Sequence, residues 1–307
     1  MSTVMRRPGL AARFKLATVR TSFALGGRLA PRRTADRAAR LFATPFASSR
    51  ARARAVPPDP SMRRETLALN GEFIATYVWG NPATQPYVLL VHGWSSFGLR
   101  FLPWIERLRA LGYAVVAFDQ PGHGFSSGHY CTLPEFADTV RAVGRHYGEA
   151  ELAIAHSLGG AALVLAQGEA WRARKLVLVA PAADMDAATT RYFRFVRLGE
   201  HLRRPFYGWL VKRTGLNVDD LQMHRHVPAL GQPGLIVHDL DDADVPWEEG
   251  ERYARHWPSA RLLTTQGLGH HRVLDAPHVI EAVLAFARDE TVGERVVASA
   301  NLPFGVA

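Results

Sequence analysis

A mixed α/β architecture on a mostly parallel sheet is predicted by three features of the 307-residue chain. Short apolar runs recur at intervals that leave room for a helix between each pair. Most of these runs are apolar throughout, as strands buried on both faces require. Two runs around a glycine open the series in the manner of a hairpin. With 48% hydrophobic residues the chain can bury a sizeable core.

The elements follow in order. "TLALN" and "EFIATYVWG" flank Gly71 and read as the antiparallel hairpin. "YVLLVHG", "YAVVAFD", "LAIAHS", "KLVLVAP", "GLIVHD" and "ARLLTTQG" read as buried strands. Between them "FLPWIERLRALG", "LPEFADTVRAVGRHYG", "GGAALVLAQGEAWRA", "WEEGERYARHW" and "APHVIEAVLAFARD" read as helices. Alternating strands and helices imply right-handed crossovers, with helices on both faces of the sheet. Asp184 to Leu230 interrupts the alternation with an aromatic, Arg-rich stretch. It is expected to form a helical cap insertion over the sheet's C-terminal edge, where open α/β sheets bind their ligands. The expected division is a basic extension and linker over residues 1–64 and one domain over 65–307, with the cap at about 184–230.

Charge supports that division. Met1 to Arg64 holds fifteen Lys/Arg against two Asp/Glu, a net +13, whereas the remainder carries twenty-two against twenty-six, a net −4. The total of +9 therefore describes an extension, and the mildly acidic body gives no reason to expect nucleic acid as a partner. "LAARFKLATVRTSFALGGRL" has the pattern of a basic amphipathic helix lying on an anionic membrane. Its Arg-rich, acid-poor composition also fits an organelle transit peptide, and a partly disordered arm or a helix packed on the protein's own surface are the plainer alternatives. "SSRARARAVPPDPSMRR" reads as a linker. No stretch approaches the ~18 to 20 apolar residues that span a bilayer, and Arg13, Lys15, Arg20 and Arg28 interrupt any secretory signal. The single cysteine, Cys131, excludes an internal disulfide framework and a multi-cysteine zinc site. The expected location is cytoplasmic, with peripheral membrane contact through the extension.

Polar residues collect where strands are predicted to end: His92-Gly93-Trp94, Asp119, Ser157, Asp239 to Asp244, and His270. Ser157 is the sharpest signal. Ala155, Gly159 and Gly160 permit a tight strand-to-helix turn that lifts its hydroxyl out of the sheet, while backbone N–H groups of the next helix point at the same spot. A serine hydroxyl needs a base to take its proton, normally a histidine oriented by a carboxylate, and both types lie downstream at strand ends. A helix N-cap serine would not require small neighbours on both sides.

In "VHGWSS", "DQPGHGFSSG", "AHSLGG", "HDLDDADVP" and "GLGHHRVL", taken in that order, the sequence resembles the α/β-hydrolase family over about Glu65 to Glu290. The resemblance implies Ser157 as nucleophile and His270 as base. Asp242 becomes the acid, in register with Val245-Pro246 of a His-Gly-x-x-Asp-x-x-Val-Pro pattern that His238 opens. Asp239 occupies the usual glycine position, and Asp241 and Asp244 are rival carboxylates. The oxyanion hole falls to the backbone N–H groups of Trp94 and Leu158. His92 and His123 are expected as loop supports, His156 as a pocket residue, and His224 and His226 as exposed cap residues. No cofactor or metal is implied. The activity implied is serine hydrolysis of a carboxylic ester, thioester or amide in a small acyl substrate, as in esterases and lipases. C–C bond hydrolysis, acyl transfer with the same triad, and a non-catalytic binding module are the alternatives.

Overall fold

The computed structural model describes residues 10–297. The helices are α1 (Leu10–Leu29), α2 (Pro31–Phe42), α3 (Ala47–Arg54), α4 (Leu102–Ala110), α5 (Leu133–Tyr147), α6 (Leu158–Ala166), α7 (Met185–Val196), α8 (Arg203–Thr214), α9 (Trp247–His256), α10 (Gly269–Arg272) and α11 (Pro277–Ala287). The strands are β1 (Met62–Leu69), β2 (Glu72–Trp79), β3 (Tyr87–Val91), β4 (Ala114–Phe118), β5 (Ala150–His156), β6 (Ala173–Val179), β7 (Gly234–Asp239) and β8 (Ala260–Thr265). They divide into two compact units. Described residues 44–184 and 222–297 form the sheet unit, and 10–43 with 185–221 form a helical unit.

All eight strands join one sheet in the order β1-β2-β4-β3-β5-β6-β7-β8. The two β1–β2 and β2–β4 pairings are antiparallel and the rest parallel. Asn70 and Gly71 close the hairpin with φ of 50° and 80°, the left-handed pair that a two-residue turn of matching twist needs. β3, β4 and β7 are buried at every residue, which explains why their sequences do not alternate. Parallel strands share one C-terminal edge, so the segments after β3, β5, β7 and β8 converge on it.

Helix starts follow local chemistry. At α5, Thr132 and Glu135 form a capping box, satisfying donors that a bare first turn would leave open. The helix expected across "GGAALVLAQGEAWRA" stops early, at Ala166. Gln167 accepts the Ala173 N–H at 3.0 Å, and Gly168 bridges Trp171, so the chain turns straight back into β6.

Residues 47–54, read from composition as linker, form α3. Ser49 and Ala53 are buried, while Arg50 donates to the Gly128 carbonyl at 2.9 Å and Arg52 to that of Ser95 at 2.7 Å. Two of the three arginines that made the segment look like solvated linker thus have fixed acceptors.

The helical unit joins the ends of a long sequence separation. Phe23 of α1 and Ala35, Ala38 and Ala39 of α2 form one buried cluster with Phe193, Val196, Leu202 and Phe206. Small residues on α2 leave room for the aromatic ones. Tyr192 donates its hydroxyl to the Ala38 carbonyl at 2.9 Å, and Arg20 donates twice to that of Phe195, at 2.9 and 2.7 Å. Residues 10–43 are therefore helices with an apolar partner in the insertion. The insertion itself is helical as expected, with α7 and α8 in this unit and two later short turns, Met223–Arg225 and Val227–Ala229, in the sheet unit. Among the described residues no helix is long and apolar enough to cross a membrane.

Phe206 sits at the centre of this cluster, with its ring 5.1 Å from that of Phe193 and 5.7 Å from that of Phe42. Phe206→Ala is expected to cost the unit about 3–5 kcal/mol. Limited proteolysis reads this as faster tryptic cleavage within 10–43 and 185–221; an unchanged cleavage rate would mean that the cluster does not hold the unit together.

Candidate active site

The site starts from a strained corner. Ser157 lies between β5 and α6 at φ 56°, a left-handed conformation that costs a non-glycine residue roughly 1–3 kcal/mol. Three hydrogen bonds hold it there. Its N–H donates to Val179 O at 3.0 Å, and its carbonyl accepts from Gly160 at 2.9 Å and Ala182 at 3.3 Å. Gly159 must lack a side chain, because a Cβ would stand 2.6 Å from the His92 carbonyl oxygen and 2.7 Å from that of Val91. The turn is thus pressed against the end of β3.

The hydroxyl of Ser157 meets the imidazole of His270, with Oγ and Nε2 3.0 Å apart. On the other side of the ring, Nδ1 lies 2.7 Å from Oδ2 of Asp242. This network assigns the proton on Nδ1, leaving Nε2 free to accept from the serine. Asp242 Oδ1 accepts the backbone N–H groups of Asp244 at 2.9 Å and Val245 at 2.8 Å. Burial opposes its ionisation, but hydrogen bonds from His238, His270 and the Val245 N–H outweigh that, holding its carboxyl well below the usual range. Asp242 is therefore a fixed anion facing His270. The rival carboxylates point elsewhere: Asp241 accepts the Gly267 N–H at 3.0 Å, and Asp244 lies 3.5 Å from the exposed His271.

Trp94 follows Gly93, and Leu158 is the first residue of α6, so its N–H lacks an intrahelical acceptor. Neither N–H takes part in another hydrogen bond among the described residues. The loop that carries Trp94 is tied down by two buried histidines. His92 donates from Nδ1 to the Gly93 carbonyl at 2.7 Å and accepts the Gln120 N–H at Nε2 at 3.0 Å. His123 donates to Pro121 O at 2.9 Å and accepts the Ser95 N–H at 3.0 Å. Burial pushes His92 down to about 4 and, with the neighbouring His92, pushes His123 down to about 3. Both rings accept a backbone N–H and are neutral near pH 7. Asp119 serves the same loops, accepting from Tyr77, Gly98 and Phe125, and does not touch Ser157 or His270.

Sequence reasoning did not anticipate three supports. His156 donates from Nε2 to the His270 carbonyl at 2.8 Å, fixing the backbone of the base from beside the serine. His238, from the end of β7, donates to Val245 O at 3.0 Å with the same nitrogen 3.3 Å from Asp242. Asp239 is the third. Its Oδ1 accepts N–H groups of Asp241 at 3.0 Å and Gly269 at 2.8 Å, while Oδ2 accepts the Thr265 hydroxyl at 2.7 Å and the Leu268 N–H at 3.1 Å. One carboxylate thereby binds the acid loop to the loop that carries His270. Its departure from the usual glycine was the available signal, since a buried acid at a strand end requires donors.

Ring nitrogens of His156, His270 and His271 lie within 4.8 Å of one another, the spacing at which a metal ion could be held. His156 Nε2 and both nitrogens of His270 are already engaged in the hydrogen bonds above. The arrangement as it stands is one for moving a proton from Ser157 onto His270.

The family described as serine aminopeptidase, S33, matches residues 82–233. A pimeloyl-[acyl-carrier protein] methyl ester esterase of Xanthomonas campestris is 27% identical over 249 residues, spanning 66% of this chain and 94% of that protein. An esterase from Thermogutta terrifontis superposes with a TM-score of 0.57 at 20% identity, over 74% of this chain and 98% of the other. Mouse alpha/beta hydrolase domain-containing protein 10 does so with a TM-score of 0.59 at 19% identity, over 74% and 97%.

Two expected outcomes follow from the supports. Asp239→Gly frees the loop that positions His270, and a displacement of about 1 Å costs about 10²-fold in turnover. Steady-state kinetics on a soluble ester are expected to give a lower kcat with KM nearly unchanged; unaltered kcat would remove Asp239 from the positioning network. For His92, protonation is free in the unfolded chain near pH 6.5 and resisted in the fold until about 4. The unfolded state binds more protons across that window, so stability falls as pH drops from about 6.5 to 4, by on the order of 3 kcal/mol for His92 alone. Urea unfolding at stepped pH measures this slope. It is expected to shrink in His92→Gln, and an equal slope in that variant would refute the assignment.

Proposed function

The chain is an α/β hydrolase by fold, and from that premise we propose that it is a serine hydrolase that cleaves a carboxylic ester through an acyl-enzyme intermediate. The observation that carries the reading is the continuous hydrogen-bonded line from Ser157 Oγ through His270 to Asp242, at 3.0 and 2.7 Å. The ester relatives among the matched proteins favour the same chemistry.

In this mechanism Ser157 Oγ attacks the ester carbonyl carbon while its proton passes to His270 Nε2. The carbonyl oxygen becomes an anion, and the N–H groups of Trp94 and Leu158 donate to it; each such donor is worth a factor of ~10² to ~10³ in rate. Collapse breaks the bond to the alcohol, which leaves with the proton from His270. Water then gives a proton to His270 and its oxygen attacks the acyl carbon, releasing the acid and returning Ser157 to its hydroxyl form. Throughout, Asp242 holds the imidazole in the Nδ1–H tautomer and stabilises its charged form. The strained turn keeps Oγ in place, so little orientation remains to be found in the transition state.

Labelling with a fluorophosphonate and turnover of an ester panel that includes methyl esters test the reading. Wild type is expected to be labelled and active. Ser157→Ala should lose labelling and about 10⁶ in kcat, and Asp242→Asn about 10⁴. A wild-type protein that is neither labelled nor active on any ester would overturn the proposal, as would full activity in Ser157→Ala.

A further inference from the structure

The described residues of the helical unit carry fifteen Lys/Arg and five Asp/Glu, a net +10, whereas those of the sheet unit carry twenty and twenty-three, a net −3. The net positive charge of the protein thus resides in the smaller unit. Within it, α1 has two apolar faces. Val19, Phe23 and Gly27 turn inward, with Phe23 2% exposed in the buried cluster. Phe14, Leu25 and Leu29, with Thr18 and Thr21 between them, lie along the opposite side at helical spacing. Phe14 is 78% exposed, Leu25 58% and Leu29 85%. Three large apolar side chains on a helix of twenty residues face away from the unit's own core.

The stripe has a cationic border. Arg28 lies beside it on α1, and the exposed Arg32 and Arg33 come after Ala30 and Pro31, in the first turn of α2.

We propose that this outer face of α1, with its bordering arginines, docks on an anionic lipid surface. An interfacial helix needs apolar side chains that sink below the headgroups and cations that pair with them, and both occur on this face in the right order. A second copy of the chain fits poorly, since two units of +10 would repel each other. A nucleic-acid backbone would meet Phe14, Leu25 and Leu29 where it requires cations. The inference does not rest on the catalytic reading, because none of these residues belongs to the Ser157 site.

The test is cosedimentation of the full chain with two kinds of vesicle, pure phosphatidylcholine and phosphatidylcholine with about one third phosphatidylglycerol. Binding is expected only to the anionic vesicles and should weaken at least about tenfold between ~0.1 and ~0.5 M salt. The outward variant Phe14→Gln/Leu25→Gln/Leu29→Gln is expected to weaken binding at least about tenfold with unchanged helical circular dichroism. Arg28→Gln/Arg32→Gln/Arg33→Gln should do the same. Equal binding to both vesicles, or none to either, would overturn the proposal. So would full vesicle binding by the apolar variant, tighter binding to duplex DNA than to anionic vesicles, or a wild-type dimer that the apolar variant dissociates.

Discussion

The backbone at Ser157 is the constraint on which the site depends. A residue with a side chain at φ 56° persists only where its surroundings leave no relaxed alternative. The parallel sheet supplies those surroundings. β5 lies between β3 and β6, so the turn after β5 is gripped from one side by the Val179 carbonyl and packed on the other against Val91 and His92. Moving Ser157 would disturb both neighbouring strand ends. The hydroxyl oxygen is therefore held by the sheet, at 3.0 Å from His270 Nε2.

The remaining members of the site sit on loops, and loops need other means of being held. Two carboxylates on one short segment do different work. Asp239 accepts four hydrogen bonds from main chain and Thr265, all within the two loops it joins, while Asp242 faces an imidazole. Hydrogen bonds keep both carboxyls below their ordinary range against the opposing effect of burial. The neutral histidines divide similarly. His92 and His123 accept backbone N–H groups near the loop of Trp94, and His156 donates to the backbone of the base. The polar groups buried around Ser157 mostly hold loops, while its Oγ lies 3.0 Å from Nε2 of His270.

The sheet was legible because its signal is local. Apolar runs within strands of five to seven residues, most of them closed by a polar residue, mark β3 to β7 without reference to anything distant. The candidate site was legible to the same extent, since each member follows a strand and the pattern that the family resemblance supplies, in register with Val245-Pro246, picks Asp242 out of its neighbours. What was hidden depends on partners far away in sequence. Phe23 and Ala38 of the first helices meet Phe193 and Phe206 of the insertion, and nothing near Phe23 signals that. Arg50 and Arg52 of α3 looked like part of a solvated linker because their acceptors, the carbonyls of Gly128 and Ser95, are main-chain atoms that composition cannot reveal. The overrun of α6 failed for a local reason instead: Ala-rich periodicity outweighed Gln167-Gly168, whose role in the turn back to β6 needs the Ala173 N–H.

Charge is divided between the units, and the division matters because the two kinds of electrostatics have different range. In the proposed reaction the imidazolium on His270 is balanced by Asp242 at 2.7 Å, inside a buried contact that mobile ions do not enter. Salt screens such a pair weakly. The net +10 of the helical unit acts instead through solvent, where its field decays over roughly 8–10 Å at physiological ionic strength. Proton transfer at Ser157 and attraction of the arginine-bordered face to an anionic surface can thus be varied independently by salt. Opposite signs in the two units also mean that the total of +9 describes neither. A chain read only by its net charge would suggest a nucleic-acid partner; read by where the charges fall, it has a mildly acidic unit that carries the Ser157 site and a cationic unit with an unsatisfied apolar face.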